Sequence, residues 1–166
     1  MIRSILIGLT AGARSMTPLA VVANAARTGT LPPDSGAPRF LAHPLVSLGA
    51  TALAAYELVG DKQKSAPDRI IPAAVIIRSL NAAFAGVALA PRSQRFPAAA
   101  LAGATAVLAS YLTYAARMRS MRTHSQFAIG LVEDAISVSA ALAAAHAPLP
   151  DVVKRHDGVP VRVEGE

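Results

Sequence analysis

The sequence predicts an all-α fold, a polytopic transmembrane helical bundle of about five helices, and three observations predict it. Hydrophobic residues make up 53% of the 166 positions and charged residues only 16%, against roughly 25% charged in soluble domains. The apolar residues gather into five stretches, each near the ~20 residues that a helix needs to cross hydrocarbon. They are mainly Ala, Leu, Val and Ile, with 4% aromatics and no Trp, which suits closely packed membrane helices.

The first stretch runs from about 2 to 26 and holds Gly8 and Gly12, a small-xxx-small pair that lets another helix approach. It continues into Arg14-Ser15-Met16-Thr17-Pro18. Pro18 has no N–H for the carbonyl four residues back, so the first helix is expected to be kinked or broken here. Broken helices at mid-membrane often hold ions or anionic groups, which makes Arg14, Ser15 and Thr17 candidates beside the plainer alternative of an ordinary proline kink. Arg3 and Ala23-Asn24-Ala25 have the form of a signal peptide and cleavage site. Arg14 would interrupt the apolar core of such a signal, so the segment is expected to be retained.

Thr28 to Pro38, with Pro32-Pro33-Asp34-Ser35-Gly36, is a turn-forming loop. The second stretch, about 40 to 60, ends in the short charged link Asp61 to Arg69. The third, about 70 to 91, carries Pro72, Arg78, Ser79 and Asn81 and reads as either spanning or re-entrant. The fourth, about 96 to 116, is free of charge and runs into Arg117, Arg119 and Arg122, a basic stop typical of a cytoplasmic flank. The fifth, about 125 to 148, contains Glu133 and Asp134. This gives a membrane domain over 1–148 and a polar tail over 149–166. Alternating spans place the N-terminus inside and the C-terminus outside, provided that the basic residues of the tail are discounted.

Charge in these stretches is costly, roughly 2.5 to 3.5 kcal/mol per group at the bilayer centre on insertion scales, so the ionisable groups should face inward and pair. By depth, Arg14 is expected to meet Asp134, and Arg78 to meet Glu57 or Asp61. Glu133 is left with no cation of its own. The bland reading of these groups is a set of structural ion pairs, and the functional one is a polar path. A weak repeat relates Glu57-Leu58-Val59-Gly60-Asp61 to Gly130-Leu131-Val132-Glu133-Asp134, in positions that an inverted repeat would give opposite topology.

The net charge of +6 is scattered between apolar runs, which fits basic loops of a membrane protein and not a nucleic-acid patch. With no cysteine, disulfides and thiol chemistry are excluded. No metal site or cofactor is expected. Lys62 and Arg69 have the spacing of the first basic block of lipid phosphatases, but the rest of that signature is missing. His43, His124, His146 and His156 lie at stretch ends or in the tail, none beside a carboxylate in a buried segment, so no enzyme is expected.

Gly12-Ala13-Arg14-Ser15-Met16-Thr17-Pro18, Glu57-Leu58-Val59-Gly60-Asp61-Lys62, Pro67-Asp68-Arg69 and the small-residue run from Ala82 to Ala88 together resemble a bacterial membrane family, domain of unknown function 4126. The resemblance covers most of residues 5 to 145. It implies a polytopic protein of the bacterial inner membrane and brings no activity. Gln63-Lys64-Ser65 departs from the proline-containing link expected after the Asp-Lys pair. Two functions compete: a small transporter or channel-like protein lined by Arg14, Glu57, Arg78 and Asp134, with Glu133 exchanging protons, or a non-transporting bundle that binds lipid or a partner protein. Membrane lipid is the expected surrounding in both, and a chain of 17.0 kDa makes a thin bundle suited to a homo-oligomer.

Overall fold

The computed structural model describes residues 1–60, 70–123 and 125–146. The expected tail, residues 149–166, lies outside the described residues. Within them there are six α-helices and no strand: α1 (Ile2–Ala13), α2 (Thr17–Arg27), α3 (Pro44–Gly60), α4 (Pro72–Leu89), α5 (Arg95–Ser120) and α6 (Gln126–His146). Three segments, Pro72–Leu89, Arg92–Ser120 and Phe127–His146, are long and apolar enough to cross a membrane. The third apolar stretch is therefore one unbroken helix, despite the polar residues inside it.

The first stretch is not one helix but two. Pro18 cannot donate to the Arg14 carbonyl, and its ring would strike it. Arg14 is the last residue to bond back, to Thr10, and its backbone is extended, with φ −137° and ψ 110°. Pro18 instead sits in the first turn of α2, where a missing N–H costs nothing. With 12 and 11 residues, α1 and α2 measure about 18 and 16 Å at 1.5 Å per residue, well short of the ~30 Å of hydrocarbon.

The chain also reverses at this break. Gly8 lies against Ala102 and Thr105, and Gly12 against Ala109 and Ser110, so α1 runs alongside α5 in the same sense. Gly103 faces Ser79 and Ala83, and Gly86 faces Ala98 and Ala102, so α4 runs opposite to both. The Asn24 side chain bonds Thr51 and Ser47 of α3, while Glu57 reaches Ser15 and Met16, which makes α2 antiparallel to α3. Just past α2, Ser35 and Gly36 bond the carbonyls of Ala88 and Ala90 at the end of α4. α2 thus returns to the end from which α1 set out, and the pair is a helical hairpin whose tip, Arg14-Ser15-Met16, lies at mid-bundle.

This reversal corrects the expected topology. Five alternating spans would separate the N-terminus from the end of α6, whereas the hairpin brings them to the same end. Arg3 accordingly shares an end with Arg27, Arg39, Arg92 and Arg95, opposite Arg119 and Arg122.

The core around the hairpin is built from small side chains: Ala11, Ala82, Ala85, Ala102, Ala106 and Ala141 are fully buried beside Ile7 and Val22. The larger apolar residues point outward. Leu45, Leu48, Tyr56, Val59, Leu80 and Leu108 are among many that are more than half exposed. Large apolar side chains exposed in such number are costly in water and cost little against lipid tails.

Candidate functional site

A broken helix leaves carbonyls at the end of its first half and N–H groups at the start of its second without partners along the chain. The hairpin tip exposes both sets in one place, and the surrounding helices answer each with side chains of the matching sign. At the carbonyl end of α1, the Gly12 oxygen accepts from Arg78 Nη1 of α4 and from Thr113 Oγ1 of α5, both at 3.3 Å. At the amide end of α2, the Glu57 carboxylate of α3 spreads across two donors. Ser15 N–H gives to Oε1 and Met16 N–H to Oε2, each at 2.7 Å. No side chain of α2 caps its own start, so Glu57 caps it from a neighbouring helix, where a negative charge is favoured by the helix dipole. Asn81 of α4 completes the ring by donating to Ser15 Oγ at 3.0 Å and to the Ser15 carbonyl at 3.3 Å.

Arg14, between the two half-helices, is 1% exposed. Its Nε donates to Asp134 Oδ1 at 2.6 Å, its Nη2 also contacts that oxygen, and Nη2 lies 3.8 Å from Glu133 Oε2. The pairing of Arg14 with Asp134 is the one expected from sequence, reached by a hairpin tip and not by a spanning helix.

Two expectations are corrected. Glu57 meets backbone amides and not Arg78; it stays within electrostatic reach of that guanidinium, which gives one of its bonds to Gly12. The other partner expected for Arg78, Asp61, lies outside the described residues, as do Lys62 and Arg69. Glu133 does have cations. Arg117 Nη1 stands 3.3 Å from its Oε2, and Arg14 approaches from the other side.

Arg117 is the residue that sequence reasoning misplaced. It is only 9% exposed and belongs to α5 proper, not to a cytoplasmic flank. A signal for it existed in Ser110, Thr113 and Arg117, spaced three and four apart so that they form one polar stripe on an otherwise apolar helix. Ser110 is fully buried and Thr113 touches Gly12, so that stripe faces the hairpin. Among the described residues, Arg14, Arg78 and Arg117 thus stand with Glu57, Glu133 and Asp134, three charges of each sign around one break.

Two clefts flank this layer. One, about 390 Å³, lies between α1, α5 and α6 and is apolar except where Thr10, Thr113, Arg117, Ser120, Glu133 and Ser137 reach it. The other, about 410 Å³, lies between α2, α3 and α6, from Thr17 and Leu58 near the tip to Thr28 and His146 at the far end. Gly8 and Gly12 serve the site by proximity: a Cβ on either would overlap α5, at Ala102 O and Thr105 for Gly8 and at Ala109 for Gly12. No group of three or more potential metal ligands occurs among the described residues.

Helices long and apolar enough for a membrane, packed on a half-length hairpin with a closed ionic layer at its tip, define a helical bundle of membrane type. The chain belongs to the family described as Domain of unknown function (DUF4126), which it matches over residues 2–153. No curated protein and no solved structure matches it.

Proposed function

We propose that the chain is a multi-pass protein of the bacterial cytoplasmic membrane that acts as a small transporter or channel-like protein, with the hairpin tip as its gate. The observation that carries this reading is the position of the tip, where six charged side chains among the described residues gather beside two clefts, one between α1, α5 and α6 and one between α2, α3 and α6. Half-helices whose ends meet at mid-membrane are a recurrent way to hold ions or anionic groups, because dipole ends and freed backbone groups add to the local charge. Irregular backbone is tolerated at that depth only inside protein or beside a cavity, and the tip has both. The resembling segments around Glu57 and around Glu133-Asp134 bring carboxylates to the tip from opposite flanks, on α3 and α6, as a weak inverted repeat would. Lipid is the surrounding, and the exposed apolar faces leave room for a homo-oligomer.

A bundle whose ion pairs serve assembly alone is the competing reading, favoured by the opposite charges that Arg14, Arg117, Glu133 and Asp134 already find in one another. Reconstitution separates the two. Proteoliposomes with an imposed proton gradient are offered a panel of small labelled solutes, comparing the wild type with Arg14→Gln paired with Asp134→Asn, a change that removes both charges and keeps a polar side chain at each position. Solute flux present in the wild type and lost in the folded double variant supports transport. Absence of flux for the whole panel favours the static bundle.

A further inference from the structure

The start of α2 is an anion site that the protein fills with its own carboxylate. Glu57 uses one oxygen per amide, both at 2.7 Å, which is the arrangement a planar two-oxygen anion selects and a single point charge does not. Glu57 is only half-buried, unlike Arg14 beside it. A second observation at the same place points to a missing ligand. Thr17, the first residue of α2, is 4% exposed and its Oγ1 has no hydrogen-bond partner. Thr10, Thr51, Thr105 and Thr113 each donate to the carbonyl four residues back, the usual outlet for a helical threonine. The break takes that outlet from Thr17, which lines the cleft between α2, α3 and α6. Ala20, Val21, Ala55, Val138 and Leu142 give the cleft an apolar wall, and its polar lining beyond Thr17 is Asn24, Thr28, Thr51 and His146.

We infer that the tip binds a small monocarboxylate with a short apolar tail, which replaces Glu57 on the amides of Ser15 and Met16, accepts from Thr17 Oγ1 and lays its tail in this cleft. This rests on the transport reading for its purpose, though not for its geometry. One carboxylate on the amides is thereby exchanged for another. The displaced Glu57, only half-buried, stays within electrostatic reach of Arg78 of α4, and Asn81 remains as a neutral donor to Ser15.

The test is calorimetric titration of the detergent-purified full chain with butyrate, with butyramide as the uncharged control and chloride as the single-point anion. Saturable butyrate binding is expected; butyramide and chloride should bind at least tenfold more weakly. Glu57→Gln removes the competitor, so butyrate should bind at least tenfold more tightly. Should Glu57→Gln fail to fold, Glu57→Asp keeps the charge but withdraws it by one methylene, and should tighten binding in the same direction. Thr17→Val should weaken butyrate about tenfold. No saturable binding, or Glu57→Gln and Glu57→Asp both binding no more tightly than the wild type, or affinity indifferent to Thr17→Val, overturns the inference. Butyrate binding without solute flux in proteoliposomes would sink the transport reading and leave this site standing, while flux of other solutes without butyrate binding would do the reverse.

Discussion

Arg14 concentrates the energetic problem of this protein in one side chain. A guanidinium 1% exposed loses its hydration, and the short contacts to Asp134 and the longer one to Glu133 help to offset that loss. Removing one partner leaves a buried charge uncompensated, so Arg14→Ala should cost about 3 to 5 kcal/mol in equilibrium unfolding in mixed micelles. Arg14→Met combined with Asp134→Leu should recover most of that loss. Recovery separates the cost of breaking the pair from any net stabilisation by it. The pairing was legible in the sequence because two opposite charges fell at similar positions in apolar stretches. The role of Glu57 was not, since a sequence displays side-chain charges but hides the amides that a helix break sets free. Matching carboxylate to guanidinium alone therefore assigned Glu57 to Arg78. Arg117 was hidden for another reason: close to Arg119 and Arg122 it has the appearance of a basic flank, and only its spacing from Ser110 and Thr113 marks it as inward-facing.

At the level of elements, the hairpin is held by how closely α1 can lie on α5. Gly8 and Gly12 mark that approach, and the glycine pair announced it in the sequence. A methyl group at Gly12 would overlap the Ala109 side chain and the backbone behind it, so Gly12→Ala should destabilise by about 1 to 3 kcal/mol through overpacking. Gly49, in the middle of α3, has nothing within 4 Å of the same virtual methyl. Gly49→Ala should therefore be neutral or stabilising by up to about 1 kcal/mol, since helix propensity alone acts there. Unfolding midpoints of the two variants, measured side by side, check the contrast; equal losses would mean that the glycine pair does not set the α1–α5 distance. The break itself was readable from Pro18. The reversal was not, because a kink that continues and a turn that returns carry the same local signature, and only contacts made by residues 35 to 57 and 88 to 90 decide between them.

For the molecule as a whole, the hairpin changes which residues share a side. A protein without cysteine allows single-cysteine variants to report this directly. Ile2→Cys and Arg92→Cys should react with a membrane-impermeant maleimide from one side of sealed vesicles, and Arg122→Cys from the other. Five full spans would pair Ile2 with Arg122 instead. The all-helical class and the membrane-like composition were plain from the distribution of apolar residues, since lipid-facing leucines and buried alanines leave a strong compositional mark. The count of spans was not, because it depends on whether about 25 apolar residues are used once across the bilayer or twice half way.

The hairpin also sets synthesis against assembly. The tip emerges from the ribosome well before the groups that make it tolerable in hydrocarbon: Glu57 comes some 42 residues on, Arg78 66 residues on from Gly12 and Asp134 120 residues on from Arg14. Neither half-helix is long enough to be threaded across by itself, and a lone arginine at its turn resists partition into lipid. A segment translated ahead of its partners thus has to wait for them, and its ionic contacts can close only once α6 has been made.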